Sequence, residues 1–224
     1  MEIIKINNLE KIYQDNGIAV NALKGVSLNI NKGDFTVIAG PSGSGKTTLL
    51  NLIGALDTPT KGEIIFNGET ISQKTKKELS ELRLKKMGFI FQAYNLIPVL
   101  TATENIEFSM MLQGVSEKER KEKVLKLMDE LEIADLADKR PREMSGGQQQ
   151  RVAVARAIVN NPEVVLADEP TANLDSKTGS RLLDLMQKMN EEKNITFIFS
   201  SHDQQVMDRA KKLVIIKDGL IESH

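Results

Sequence analysis

An apolar run, Phe35-Thr36-Val37-Ile38-Ala39, leads straight into Gly40-Pro41-Ser42-Gly43-Ser44-Gly45-Lys46-Thr47, and helical patterning follows over 47–55. The spacing is G-x-x-x-x-G-K-[ST], and no other stretch of this sequence limits the fold as tightly. It requires a buried strand, a glycine-rich loop and a helix in immediate succession. The glycines let consecutive backbone N–H groups curl around phosphate oxygens, and the positive end of the helix dipole adds to the potential there. Lys46 brings a point charge to the β- and γ-phosphates, and the Thr47 hydroxyl is placed to ligate Mg²⁺. The loop therefore predicts nucleotide binding.

The rest of the pattern predicts an α/β fold. Short β-like runs at 3–6, 26–30 and 63–66 are separated by turns rich in Asn, Gly and Lys. Buried strands are expected at 88–91, 164–167, 195–199 and 213–216, the last running into an Asp218-Gly219 turn. Helices are expected over 103–113, 116–131, 146–160 and about 177–192, and Ser116 with Glu119 reads as a capping box. Strands alternating with helices imply a mostly parallel sheet with helices on its faces. The helical stretch 93–161 reads as a lobe inserted into a nucleotide-binding core of 1–92 and 162–224, all within one domain.

A second helix start has anion-binding composition. In Ser145-Gly146-Gly147-Gln148, preceded by Met144, the Ser can cap and the glycines let backbone approach a ligand. Two such starts must either converge on one nucleotide or serve two. The apolar run Val164-Val165-Leu166-Ala167 ends in Asp168-Glu169. Open parallel sheets hold ligands at the carboxyl ends of their strands, so Asp168 is expected to hold Mg²⁺ and Glu169 to orient and activate the attacking water as general base. His202 lies just past another strand end, where it can contact the γ-phosphate. Gln92 closes a strand in the same layer, with surface and site both open to it. For Tyr13, stacking on adenine and packing are both open. Asn31-Lys32-Gly33-Asp34 resembles the guanine-reading N-K-x-D, but it precedes the phosphate loop instead of following it and reads as a turn before a strand.

Composition excludes several alternatives. The 224 residues contain no Cys and two His, which removes disulfide, thiol and Cys-based zinc chemistry. A net charge of −1 offers no nucleic-acid footprint. Met1 to Leu9 lacks the apolar core of a signal peptide, and no apolar run approaches a membrane span. The expected location is cytoplasmic, with a membrane reached only through a partner.

On these residues the chain resembles an ATP-binding cassette (ABC) ATPase, the motor subunit of ABC transporters, over essentially its whole length and in family order. Tyr13 is similar to the aromatic adenine loop, Gly40 through Lys46, Thr47 and Thr48 to the Walker A loop, and Gln92 to the Q-loop. Ser145, Gly146, Gly147 and Gln148 resemble the signature, with Met144 where the family usually has Leu. Asp168 and Glu169 resemble the Walker B end, residues 172–175 the D-loop, and His202 the switch histidine. The resemblance implies a P-loop NTPase core, an N-terminal antiparallel β subdomain and an inserted α-helical subdomain. It implies ATP and Mg²⁺ as ligands, with Thr47, Gln92 and Asp168 at the metal and Glu169, His202 and Lys46 in catalysis. It further implies a head-to-tail homodimer that sandwiches two ATP, working on a membrane permease at the cytoplasmic face of the inner or plasma membrane. Gly88-Phe89-Ile90-Phe91-Gln92, Asn95-Leu96-Ile97-Pro98 and Thr171-Ala172-Asn173-Leu174-Asp175 are similar to the lipoprotein-release and macrolide-export group. Cell-division ATPases are near relatives and form the alternative. A P-loop kinase or GTPase is disfavoured by the signature and the Asp168-Glu169 pair. Tyr94, Leu96 and Pro98 are a candidate docking surface, with packing of the helical lobe the competing role. Met110 and Met111 are expected in the core.

Overall fold

A computed structural model describes residues 1–15 and 18–223. The first half of the chain forms β1 (Glu2–Asp15), β2 (Ile18–Asn31), β3 (Phe35–Ala39), α1 (Lys46–Ile53), β4 (Lys61–Phe66), β5 (Glu69–Thr70), α2 (Lys76–Lys86), β6 (Met87–Ile90) and α3 (Ala102–Leu112). There follow α4 (Glu117–Glu130), α5 (Gly146–Ile158), β7 (Val164–Asp168), α6 (Ser176–Lys193), β8 (Thr196–Ser201), α7 (Gln204–Met207), β9 (Lys212–Lys217) and β10 (Leu220–Ser223). An antiparallel sheet has the order β2-β1-β4-β5, and a second sheet the order β10-β9-β3-β8-β7-β6. In the second sheet every pairing is parallel except the β9–β10 edge.

The central strands are buried on both faces, which is why they read as continuous apolar runs instead of alternating. Alternate residues still separate two cores. Phe35, Val37, Val165 and Ala167 point to one, and Ile38, Val164 and Leu166 to the other. The first core continues without a break from the sheet into Ile106 of α3, Val124 of α4 and Val154 of α5. Phe35 and Phe199 meet within it at 4.5 Å between ring centroids. The second core lies between the parallel sheet, α1 and the antiparallel sheet, joining Leu49 and Leu52 to Ile4, Ile6 and Leu9. Burying each such side chain contributes about 1.5–3 kcal/mol relative to exposure.

The feature that matters for a site is register. Ala39 pairs with Ser201 and Asp168 with Ser200. The carboxyl ends of β3, β7 and β8 therefore stop at one level, and the residues that follow them, Gly40, Glu169 and His202, emerge side by side.

Several elements differ from expectation. β1 and β2 are far longer than 3–6 and 26–30, because the strand continues through a register shift between Ile6 and Leu9 with Asn8 at φ 45°. The bulge breaks the alternation but not the ladder. Helix α2 was not anticipated. Its lone fully buried residue is Leu79, so periodicity is weak, yet a complete Thr75–Glu78 capping box marks its start. Strand β10 was also unforeseen. Asp218 and Gly219 have φ of 49° and 79°, the left-handed pair of a two-residue hairpin turn. The Ser116–Glu119 box is half formed: the Ser116 hydroxyl accepts from the Glu119 N–H, while the Glu119 carboxylate pairs with Lys123 at 2.9 Å. Met110 is buried as expected, whereas Met111 is 48 % exposed.

Candidate functional site

The phosphate loop joins the end of β3 to α1. Gly45 caps α1 at φ 106°, and a Cβ there would lie 2.7 Å from the Ala22 carbonyl. At Gly40 a Cβ would lie 2.1 Å from the Ile216 carbonyl. Neither position accepts a side chain. Lys46 is buried, and its Nζ donates to the carbonyls of Gly40 at 2.7 Å and Pro41 at 2.9 Å, which holds the ammonium within the loop. The Ser44 N–H donates to the Pro41 carbonyl, while Ser42 and Gly43 are exposed along the loop. Gly43, Lys46, Thr47 and Thr48 line a cleft of about 580 Å³ with Val20 and Asp218.

The strand ends deliver the next groups. The Thr47 hydroxyl donates to the Asp168 carboxylate at 3.2 and 3.4 Å. Glu169 takes a left-handed φ of 45° and is held there by its N–H donating to the Ser200 carbonyl at 2.8 Å. Its carboxylate accepts from the Ser201 hydroxyl at 3.0 Å and lies 2.7 Å from His202 Nδ1. Because a carboxylate only accepts, Nδ1 carries the hydrogen and Nε2 is left for another partner. The Glu169 side chain is 16 % exposed and that of His202 68 %.

Tyr13 lies on β1 opposite Val20, which lines the cleft. Its hydroxyl donates to Asp57 at 2.8 Å, and the Lys11 ammonium, itself bonded to Asp57, lies 4.7 Å from the ring centroid. Burial and the Asp57 carboxylate push the Tyr13 hydroxyl pKa up. Burial pushes the Asp57 pKa up, but the bonds from Lys11 and Tyr13 outweigh it and hold the carboxyl below its ordinary value. The sequence offered no sign of Lys11 or Asp57 in this cluster, since they lie on separate elements and match no local motif.

Gln92 follows β6, whose Ile90 pairs with Ala167, so it runs alongside the Asp168-Glu169 step. Its carbonyl accepts from Asn173 Nδ2 at 2.8 Å, and among the described residues no hydrogen bond joins its side chain to Thr47 or Asp168. At the start of α5, Ser145 and Gln148 cap each other: the Ser145 N–H donates to Gln148 Oε1 at 2.8 Å and the Gln148 N–H to Ser145 Oγ at 3.3 Å. The two glycines have neighbours in their own chain. A Cβ at Gly146 would lie 2.7 Å from Tyr94 Oη, and one at Gly147 would lie 2.6 Å from Thr178 Cγ2. Met144 is buried in the core and anchors the turn, which is all that position asks of an apolar residue. Among the described residues no hydrogen bond joins 145–148 to 40–48, and none of 145–148 lines the 580 Å³ cleft.

The three residues named as a candidate docking surface are placed differently. Tyr94 packs on Gly146, Leu96 packs against the core and Pro98 is exposed. An apolar groove of about 560 Å³ lies nearby between α2, β6, α3 and α5, lined by Leu84, Phe89, Phe91, Leu112 and Arg156 and by none of those three.

A phosphate loop at the end of β3, an acid pair at the end of β7 and a histidine just past the end of β8, the strand between them, form a candidate nucleotide site. The family described as ABC transporter matches residues 23–172. The chain belongs to that family and is one of its ATP-binding cassettes, an ATPase. It is similar to MJ0796 of Methanocaldococcus jannaschii, at 44 % identity over 98 % of this chain and 95 % of that one. A structure described as the dimeric form of MJ0796, a bacterial ABC transporter cassette, superposes with a TM-score of 0.92 at 43 % identity, over 99 % of this chain and 97 % of that one. A second MJ0796 structure, described as a dimeric post-hydrolysis state bound to ADP and Pi, also gives 0.92 at 43 % identity with the same coverage. The macrolide export ATP-binding/permease protein MacB of Campylobacter jejuni is 45 % identical over 99 % of this chain, which spans 34 % of that longer protein.

Proposed function

We propose that this chain hydrolyses ATP between two copies of itself to drive a separate membrane permease. The observation that carries the reading is the cluster at the carboxyl ends of β3, β7 and β8. There Lys46 sits in the loop, Thr47 reaches Asp168, and Glu169 reaches His202. The free N–H groups of the loop between Ser42 and Thr48 and the Lys46 ammonium hold the phosphates. Tyr13, steadied by Asp57 and flanked by Lys11, offers its ring to the adenine.

The donors fit Mg²⁺, since the Thr47 hydroxyl and the Asp168 carboxylate are hard oxygen ligands and lie within 3.2–3.4 Å of each other. Thr47 and Asp168 would hold the ion, with Gln92 beside them. Bound there, it would offset the charge that builds on the β- and γ-oxygens. Glu169 orients a water molecule and takes its proton as the water oxygen bonds to the γ-phosphorus. The bond from that phosphorus to the bridging oxygen breaks, and ADP and phosphate result. His202, oriented through Nδ1 by Glu169, faces the γ-phosphoryl group and donates to its oxygens when Nε2 also carries a hydrogen, and Lys46 stabilises the charge that grows there.

Ser145, Gly146, Gly147 and Gln148 act on the nucleotide held by a second copy packed head to tail. Their lack of any in-chain link to the loop supports this, as does the dimeric state of the MJ0796 structures. The permease docks in the groove lined by Leu84, Phe89, Phe91 and Leu112, whose Phe91 directly precedes Gln92. No helix of the described residues is long and apolar enough to cross a membrane. The name of MacB, an ATP-binding/permease protein for macrolide export, supports a permease partner. The motor works at the cytoplasmic face of the inner or plasma membrane, exporting or extracting lipoprotein, peptide or drug-like substrates.

Phosphate release from Mg²⁺-ATP, measured over a hundredfold range of protein concentration, tests the shared site. The rate per chain is expected to rise with concentration before it levels off. A rate per chain that stays constant down to high dilution contradicts it.

A further inference from the structure

The segment that carries Gln92 is held from outside by groups that are not themselves at the reaction centre. Arg156, on α5, donates from Nη2 to the Tyr94 carbonyl at 2.8 Å and from Nη1 to the Asn95 carbonyl. Both of those residues have positive φ, 59° and 50°. Asn tolerates that region better than most residues, but a Tyr there is uncommon and costs energy unless its surroundings hold it. Gly146 adds to the restraint by admitting the Tyr94 hydroxyl where a Cβ would collide, and Asn173 holds the Gln92 carbonyl at 2.8 Å.

Arg156 is half-buried, and that burial pulls its pKa down. Among the described residues it has no carboxylate partner; its hydrogen bonds go to two main-chain carbonyls. Two carbonyls do not neutralise a cation. What they gain from a planar fork of donors is a fixed spacing and orientation, which an ammonium cannot supply. A desolvated charge used in this way serves geometry.

We infer that Arg156 is a positioning residue for ATP hydrolysis, a strap that keeps Tyr94 and Asn95 left-handed and thereby keeps Gln92 beside Asp168 and Glu169. The strap ties the Gln92 segment to the helix that begins at Ser145. Arg156 and Asn95 also line the 560 Å³ groove, so anything seated there meets the strap directly. The inference rests on Gln92 serving the reaction, as proposed above.

Steady-state phosphate release, titrated with ATP in the presence of Mg²⁺, tests it on the purified full chain. Arg156→Met is expected to lower kcat about tenfold or more while KM and the affinity for a fluorescent ATP analogue stay within about threefold, as befits a misplaced rather than a missing group. Arg156→Lys falls between, because its single ammonium cannot span both carbonyls. Adding Asn95→Gly to either variant is expected to return a large part of the lost kcat, since glycine takes positive φ without a strap. A role confined to packing α5 predicts no such recovery. Where Arg156→Met does not fold by circular dichroism, Arg156→Lys with and without Asn95→Gly carries the same comparison. Gln92→Ala is run in parallel. If it lowers kcat while Arg156→Met stays within about twofold of the parent, the strap is overturned and the role of Gln92 stands. If Gln92→Ala leaves kcat unchanged, the role of Gln92 is overturned and the strap with it.

Discussion

At the start of α1, Lys46 has partners in the loop before it and Thr47 has one at the end of β7. At the start of α5, Ser145 and Gln148 have each other. Both are glycine-rich helix starts with N–H groups free of intrahelical partners. The difference lies behind them. α1 follows the central strand of a parallel sheet, whose register brings Asp168, Glu169 and His202 to the same level. α5 follows a loop in the helical segment, and its glycines are already in contact with Tyr94 and Thr178. A helix start becomes half of a catalytic centre when strand ends arrive beside it, and the α5 start has none in its own chain. Under the proposed function the missing half comes from a second copy.

The largest effect expected on this comparison comes from Lys46→Ala. It removes the charge inside the first helix start, and phosphate release should fall by about two to three orders of magnitude, with nucleotide affinity falling as well. Nearly as large a loss of hydrolysis is expected from Ser145→Arg, but with fluorescent-nucleotide binding to the dilute chain within about threefold of the parent. If binding fails together with hydrolysis, the α5 start serves nucleotide in cis or supports the fold, and the contrast between the two starts collapses. Tyr13→Ala is milder. Losing a stacked ring costs about 1 kcal/mol, so KM for ATP should rise roughly fivefold with kcat unchanged.

The smallest effect concerns the support of that ring. The Asp57 carboxyl is held below its ordinary value when folded, so its contribution to stability is present above the unfolded pKa and is lost as pH falls through the folded one. The stability gap between the parent and Asp57→Asn, from denaturant melts, should be open at neutral pH and close in acid. It should be small, because the pair is partly exposed and screened.

The central sheet and the loop could be read in the sequence because both are local signals. An apolar pentapeptide and a G-x-x-x-x-G-K-T spacing each lie within a few residues. Asp168 and Glu169 could be found for the same reason, standing at the end of Val164-Val165-Leu166-Ala167. What escaped depended on distant pairings. The Lys11–Asp57–Tyr13 cluster joins residues more than forty positions apart, and Arg156 meets Tyr94 across about sixty. Such contacts leave no periodicity. α2 was missed for another reason. It buries only Leu79 fully, so no apolar stripe marks it in the sequence. Its capping box was present and would have found it. The signature glycines were read as openings for a ligand, and the structure adds that Tyr94 and Thr178 need the same openings.

The most direct test of the shared site is the mass of Glu169→Gln in solution. With its general base removed, the chain should bind ATP and Mg²⁺ without turning them over. Light scattering coupled to gel filtration is then expected to show a species of twice the monomer mass, holding two ATP per two chains and dispersing when ATP is replaced by ADP. A variant that retains ATP yet elutes with the monomer mass at every protein concentration would contradict the account.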